Sequence, residues 1–241
     1  PSALQGTVEI PGSKSHTIRA VAIAALANGD SIIEEPLVSE DALAAFRAYR
    51  AFGATIADEG RLWRVTGING APQTPDNVID TANSGTTMRI ALGSAALLHG
   101  GLAVLTGDDQ VRRRPCGPLI QALNDLGAKA CSTRATGTPP VVVEGRLRGG
   151  NTRIEAVTSQ YVSSLLINTP LADGDTHLRV PLLNEKPYVE MTLDWLKRQG
   201  IRVEHAEDLS EFHIPGDQSY PPVRRRIPVD FSSATFFLAA G

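Results

Sequence analysis

Three short stretches of the 241-residue chain place small polar residues just ahead of an apolar run. They are Ser13, Lys14 and Ser15; Asn83, Ser84, Gly85 and Thr86; and Thr158, Ser159 and Gln160. Each reads as the first turn of a helix. A helix N-terminus presents unpaired backbone N–H groups and roughly half a positive charge, so the chemistry on offer is binding of phosphate or carboxylate. Ser, Thr and Asn are also preferred caps, and capping alone accounts for any one of the three. Capping does not call for Lys14, for Arg19 one turn beyond Ser15 on the same face, or for Gly85, which weakens a helix start. A further cation, Arg114, ends a Val-Arg-Arg-Arg-Pro run, where Pro115 suits a first helical position. Guanidinium grips a planar carboxylate at two points, which makes Arg114 a candidate anion ligand. Arg112 and Arg113 read as solvated loop residues, and Arg224 to Arg226 as a surface linker. The GSKS at 12–15 lacks the GxxxxGK[ST] spacing of a nucleotide-binding loop, and His16, His99, His177, His205 and His213 show no metal-ligand spacing.

The elements that must position these residues recur along the chain. RAYRAFGATI, QALNDLGAKA and DWLKRQGIRV each end an amphipathic helix at a glycine, Gly53, Gly127 and Gly200, spaced 74 and 73 residues apart. GSKSHTIRAVAIAALANG, ANSGTTMRIALGSAALLHG and VTSQYVSSLLINTPLADG run to Gly29, Gly100 and Gly174, spaced 71 and 74. RVTG, VVEG and HIPG end strands at Gly67, Gly145 and Gly216. A constant period of this kind marks a structural repeat. Each unit reads strand, helix, strand, helix, strand, strand. Residues 20–27 are apolar throughout and 90–98 nearly so, which predicts first helices buried on all sides. The second helices carry a one-sided stripe, such as Leu119, Ile120, Leu123 and Leu126 opposite Gln121, Asn124 and Asp125. The expected fold is α/β (α+β): an inside-out barrel of three βαβαββ repeats with pseudo-threefold symmetry, helices inside and sheets outside. Rotation then turns the three first-helix starts toward one pole.

Composition sets limits on function. Hydrophobic residues make up 42% and charged residues 20%, enough for a core and too ordinary for disorder. Lys and Arg number 23 against 26 Asp and Glu, and a net charge of -3 provides no global field for nucleic acid, so any anion site is local. Cys116 and Cys131 form neither a disulfide framework nor a CxxC pair, which points to a reducing compartment. No apolar run approaches the roughly 20 residues of a membrane span. The opening PSALQGTVEIPG carries no targeting pattern. A cytoplasmic monomer is expected, with a removed plastid transit peptide compatible with the sequence.

PGSKSHTIRAVAIAALANG, DTANSGTTMRIALGSAALL, LTGDDQVRRRPCGPLIQAL, VTSQYVSSLLI and EKPYVEMTLDWLKRQG together resemble the 5-enolpyruvylshikimate-3-phosphate synthase family, in order and along essentially the whole chain. The resemblance implies transfer of the enolpyruvyl group of phosphoenolpyruvate to the 5-hydroxyl of shikimate-3-phosphate, in aromatic amino acid biosynthesis and without a cofactor. It implies a fold of two inside-out domains of three βαβαββ units each. It also assigns roles: Lys14 contacts both substrates and is the catalytic candidate, and Ser15 and Arg19 hold shikimate-3-phosphate. The loop Asn83 to Arg89, with Gly85 and Thr86, takes phosphoenolpyruvate, which Arg114 also grips. Thr158, Ser159 and Gln160 hold the shikimate phosphate and ring, and Tyr188 lines that pocket. Thr158 stands where the family has a Ser and keeps the hydroxyl. Glu185 stands where members often have a Ser near the substrate phosphate; it would repel phosphate unless it points away, so that role is not carried over. Gln110 stands where some members have a cation.

The family's principal carboxylates for proton transfer lie in its second domain. Residues 1–11 are expected to be a lead-in or hinge strand, 12–227 the three repeats (12–75, 76–147 and 148–227), and 228–241 a hinge and the start of that second domain. IPVDFSSATFFLAAG looks like a fourth unit, since Ser233 falls 74 residues after Ser159. The chain is expected to bind shikimate-3-phosphate weakly, to lack turnover alone, and to take a complementary C-terminal domain as partner. Two other readings stay open. One is a UDP-N-acetylglucosamine enolpyruvyl transferase-like domain, which is expected to carry a Cys ahead of the Arg-Pro; here Asp108 to Arg113 contain none and Cys116 reads as a structural thiol. The other is a non-catalytic anion-binding module.

Overall fold

The computed structural model describes residues 5–240, so the first four residues of the expected lead-in lie outside the described residues. The first unit holds α1 (Lys14–Leu26), β1 (Asp30–Glu34), α2 (Glu40–Ala51), β2 (Thr55–Asp58) and β3 (Leu62–Thr66). The second holds β4 (Ile79–Asp80), α3 (Gly85–Ala95), β5 (Leu97–Thr106), α4 (Gly117–Asp125), β6 (Lys129–Ser132) and β7 (Val141–Arg146). The third holds β8 (Gly150–Ala156), α5 (Ser159–Asn168), β9 (Thr176–Leu183), α6 (Lys186–Arg198), β10 (Glu204–His205) and β11 (Glu211–Ile214). β12 (Arg224–Arg226) and α7 (Phe231–Ala240) follow. No helix among the described residues is long and apolar enough to cross a membrane.

Three four-stranded sheets carry the same pattern, in the orders β12-β1-β3-β2, β4-β5-β7-β6 and β8-β9-β11-β10. In each, the first pair is parallel and the others antiparallel. α3 and α5 are the crossovers that a parallel pair requires. Among the described residues the first unit has no strand ahead of α1 to play the part of β4 or β8. β12 supplies it, pairing Ile32 with Arg224 and Glu34 with Arg226 from the far end of the chain. The linker reading of Arg224 to Arg226 is therefore corrected: these residues close the first sheet, although sequence order places them after the third repeat. Three consecutive charged side chains suit an edge strand, where they discourage further pairing.

The core lies between the sheets. Residues 17–27 of α1 and just beyond are buried on every side, as are residues 87–98 of α3 and β5 and residues 161–172 around α5. Each Ile, Leu or Val so buried contributes about 1.5–3 kcal/mol. α2, α4 and α6 bury one face, and each ends in a Schellman turn: Gly53 N–H donates to Arg50 O and Ala54 N–H to Tyr49 O, with the same pair of bonds at Gly127 and Gly200. The glycines there have φ of +100°, +101° and +71°, as this turn needs. Two boundaries differ from expectation. α3 stops at Ala95, because β5 begins at Leu97, which already pairs with Arg146. Pro115 lies outside α4, which Cys116 caps and in which Pro118 takes the first-turn place.

α3 and α5 approach closely where Gly93 leaves room for Ser164 and Asn168. Asn168 accepts from Ser94 Oγ at 2.8 Å, and Ser94 shares a hydrogen bond with the Tyr49 hydroxyl at 2.7 Å, which ties α2, α3 and α5 together. A Cβ at Gly93 would overlap the Ser164 and Asn168 side chains. Gly93→Ala is expected to lower stability by about 1–3 kcal/mol, with a matching fall in the thermal midpoint measured by circular dichroism. An unchanged midpoint would contradict this packing.

Candidate functional site

The three buried helices start at one pole, and side chains tie their first turns into a ring. α1 joins α2 through Lys14 Nζ, 3.6 Å from Asp41 Oδ1. The Asp41 backbone oxygen accepts from Thr87 Oγ1 of α3 at 3.2 Å. Arg89 of α3 donates to Gln160 Oε1 of α5 and, at 3.1 Å, to Pro115 O. Arg19 closes the ring from α1. Its Nη2 donates to Ser163 Oγ of α5 at 3.0 Å and to Tyr188 O of α6 at 3.1 Å, its Nε to Thr192 Oγ1 at 2.8 Å, and its Nη1 to Ser15 O at 3.0 Å. Arg19 is 1% exposed, and burial lowers its pKa to about 10, so it stays a cation at neutral pH.

Gly85 opens α3 between two guanidinium groups. A Cβ there would fall 2.5 Å from Arg114 Nη1 and 3.0 Å from Arg89 Nη1. Only glycine lets both cations reach the helix start, where Ser84 caps by accepting from Thr87 N–H. Arg114 is half-buried and donates to Asn83 Oδ1 at 3.2 Å, while Asn83 Nδ2 donates to Asp108 Oδ2 at 2.7 Å. Asp108 also accepts from the N–H groups of Gln110 and Val111, and these bonds hold its carboxyl below the usual range. Beneath them Arg89 lies over the Tyr161 ring at 5.4 Å. Burial pushes the Cys116 thiol up, which fits a structural thiol.

At the third start, Thr158 caps α5 and Ser159 is buried behind it. Gln160 bonds Arg89, and Tyr188, whose backbone oxygen accepts from Arg19, is exposed. Thr86 is half-buried on the first turn of α3. Glu185 turns toward this start: its Oε2 accepts from Ser159 Oγ at 3.0 Å, Ser159 N at 3.3 Å and Thr158 Oγ1 at 3.4 Å. The structure thus brings the predicted residues to one pole. It also adds a threefold feature that sequence reasoning missed, a carboxylate of the same unit meeting each start: Asp41, Asp108 and Glu185. They fall 27, 25 and 26 residues after Lys14, Asn83 and Ser159, an interval that was open to inspection. Gln110 is exposed and makes its bond through backbone. Two grooves, of about 850 and 860 Å3, are lined by none of the predicted site residues, one on the outer sheet face at His177 and His213 and one beside Gly12 and Arg226.

The EPSP synthase (3-phosphoshikimate 1-carboxyvinyltransferase) model matches residues 1–241. The chain belongs to the EPSP synthase family. It is 51% identical over 237 residues to the 3-phosphoshikimate 1-carboxyvinyltransferase of Ruminiclostridium cellulolyticum, covering 98% of this chain and 56% of that one. The corresponding protein of Acetivibrio thermocellus is 54% identical over 236 residues, with 98% and 55% covered. An EPSP synthase structure from Acinetobacter baumannii superposes with a TM-score of 0.86 at 27% identity, covering 97% of this chain and 52% of that one. The three-unit inside-out fold is therefore that of one EPSP synthase domain. The chain spans about half the length of the relatives it matches.

His16, on the first turn of α1, escaped notice as part of this pole. Trp195 Nε1–H donates to its Nδ1 at 3.0 Å, which requires the neutral ring. Desolvation, then Arg225 and Arg19, lower its pKa from 6.5 to about 4 against the opposing pull of Asp194. An unfolded chain takes up this proton near pH 6.5 and the folded chain only near 4, so stability rises with pH across that window and is lost on acidification. His16→Gln is expected to flatten the dependence of urea midpoint on pH between 4.5 and 6.5. A slope equal to that of the parent chain would contradict the neutral, half-buried His16.

Proposed function

We propose that the pole binds shikimate-3-phosphate and phosphoenolpyruvate and so supplies one wall of the site for enolpyruvyl transfer. The observation that carries this reading is the pair of unlike anion cradles side by side: two guanidinium groups over Gly85, and hydroxyl and amide donors at the start of α5. The first suits the carboxylate and phosphate of phosphoenolpyruvate, because guanidinium binds planar oxygen pairs at two points. The second suits a phosphate on a sugar-like ring, with Tyr188 and Gln160 beside it. Lys14 opens the neighbouring helix α1, its side chain 48% exposed and its ammonium held, among the described residues, by Asp41 alone. In the reaction it neutralises charge that both substrates bring, a role that depends on preorganised position. Ser15 sits beside it, and Arg19 is the buried cation beneath the shikimate-3-phosphate site.

The three carboxylates at this pole are engaged by Lys14, by Asn83 and backbone, and by Thr158 and Ser159. Proton transfer is accordingly assigned to a complementary domain, with residues 228–241 as the passage toward it. The exposed Phe231, Phe236, Phe237 and Leu238 of α7 support a partner on that side. No cofactor enters this reading. The bacterial and archaeal relatives support a cytoplasmic setting.

Lys14→Ala is expected to weaken shikimate-3-phosphate binding by about tenfold or more, the size of a lost charge-assisted contact, with stability changed by less than about 1 kcal/mol because the Lys14–Asp41 pair is half-exposed. Calorimetric titration with shikimate-3-phosphate, with inorganic phosphate as comparison, checks both. Equal affinities for parent and variant would contradict the assignment, and equal affinity for the two ligands would favour a general anion module.

A further inference from the structure

Glu185 is unlike the other two carboxylates at the pole. Asp41 meets a lysine and Asp108 an amide and two backbone N–H groups of its own loop. Glu185 instead places one oxygen against the donors of a neighbouring helix start: the Ser159 amide, the Ser159 hydroxyl and the Thr158 hydroxyl, at 3.3, 3.0 and 3.4 Å. Those three donors surround the position that an oxyanion at the α5 N-terminus would take. Among the described residues Glu185 pairs with no cation, and the adjacent Lys186 ammonium turns to Asp208 O at 3.0 Å. Its backbone is left-handed, φ 58° and ψ 43°, a conformation unfavourable for a residue with a Cβ. The residue is exposed, so water can take the carboxylate when it leaves.

We propose that the Glu185 carboxylate is a built-in substitute for the ligand phosphate, which occupies the α5 start and must be displaced before a phosphorylated substrate binds. This rests on the reading of that start as the shikimate-3-phosphate subsite. Two anions cannot share one set of donors without strong repulsion, so binding exchanges the carboxylate for the phosphate. The exchange lowers affinity for the phosphorylated ligand and leaves affinity for the same ring without phosphate unchanged. Glu185 is thus a specificity-determining residue that sets the strength of phosphate capture. With Glu185 withdrawn, Ser159 and Thr158 regain the donors that the phosphate needs.

The test is calorimetric titration of the parent chain, Glu185→Ala and the isosteric Glu185→Gln with shikimate-3-phosphate and, separately, with shikimate. Glu185→Ala is expected to bind shikimate-3-phosphate about tenfold tighter, the equivalent of one charge-assisted hydrogen bond, with Glu185→Gln tighter than the parent and shikimate affinity level across all three. Unchanged or weaker binding of shikimate-3-phosphate by both variants would overturn the proposal. Ser159→Ala, made in the parent and in Glu185→Ala, separates the two claims. If it weakens binding in both while the Glu185 variants do not differ from the parent, the subsite stands and the displacement fails; if it changes nothing in either, the subsite reading and the proposal fall together.

Discussion

Three buried helices that start at one pole bring three partial positive charges together, and neighbouring like charges repel. The ring of side chains across their first turns makes this arrangement tolerable. Asp41 bridges the starts of α1 and α3, Gln160 accepts a hydrogen bond from the Arg89 guanidinium between α5 and α3, and Arg19 clamps α5 and α6 to α1. Two of the bridging groups are themselves cations, so the pole keeps a positive field after its own hydrogen bonds are made. The anionic ligands proposed for this pole would complete the balance. The core beneath explains why the cations cannot retreat: α1, α3 and α5 are packed on every side, and Arg19 and Arg89 are buried among them.

This constraint also explains the distribution of small residues. Gly85 admits Arg89 and Arg114 to the helix start, and Gly93 admits Ser164 and Asn168 one turn or more further along. Both positions trade helix propensity, about 1 kcal/mol each, for close approach of polar groups that an alanine would block. Closure by β12 serves the same end from outside. A sheet left with three strands would leave β1 as an unpaired edge, whereas the Arg224–Arg226 strand completes it and Arg225 stacks on Trp195 at 4.1 Å, next to His16.

Much of this was legible in the chain. The C′ glycines at 53, 127 and 200 and the all-round apolar runs follow from local rules of helix ends and burial, and the repeat interval turns those rules into a fold. The strand at Arg224–Arg226 was not legible, because three arginines show no two-residue alternation and their partner lies about 190 residues earlier, at Ile32–Glu34. The hydrogen bonding of Arg19 was hidden for a similar reason: Thr192 and Ser163 come from other helices. Glu185 was read as repelling phosphate unless it points away. Its left-handed backbone instead accompanies a carboxylate turned into the α5 start, and neighbouring sequence gives no sign of that choice.

The central proposal is that the three helix starts together hold the two anionic substrates, shikimate-3-phosphate and phosphoenolpyruvate. Backbone amide chemical shifts, followed during titration with both ligands together, test it most directly. The account predicts saturable shifts concentrated at 14–15, 84–86 and 158–160, with the outer sheet face around His177 and His213 unaffected. Shifts confined to that outer face, or a response at one helix start with none at the other two, would contradict it.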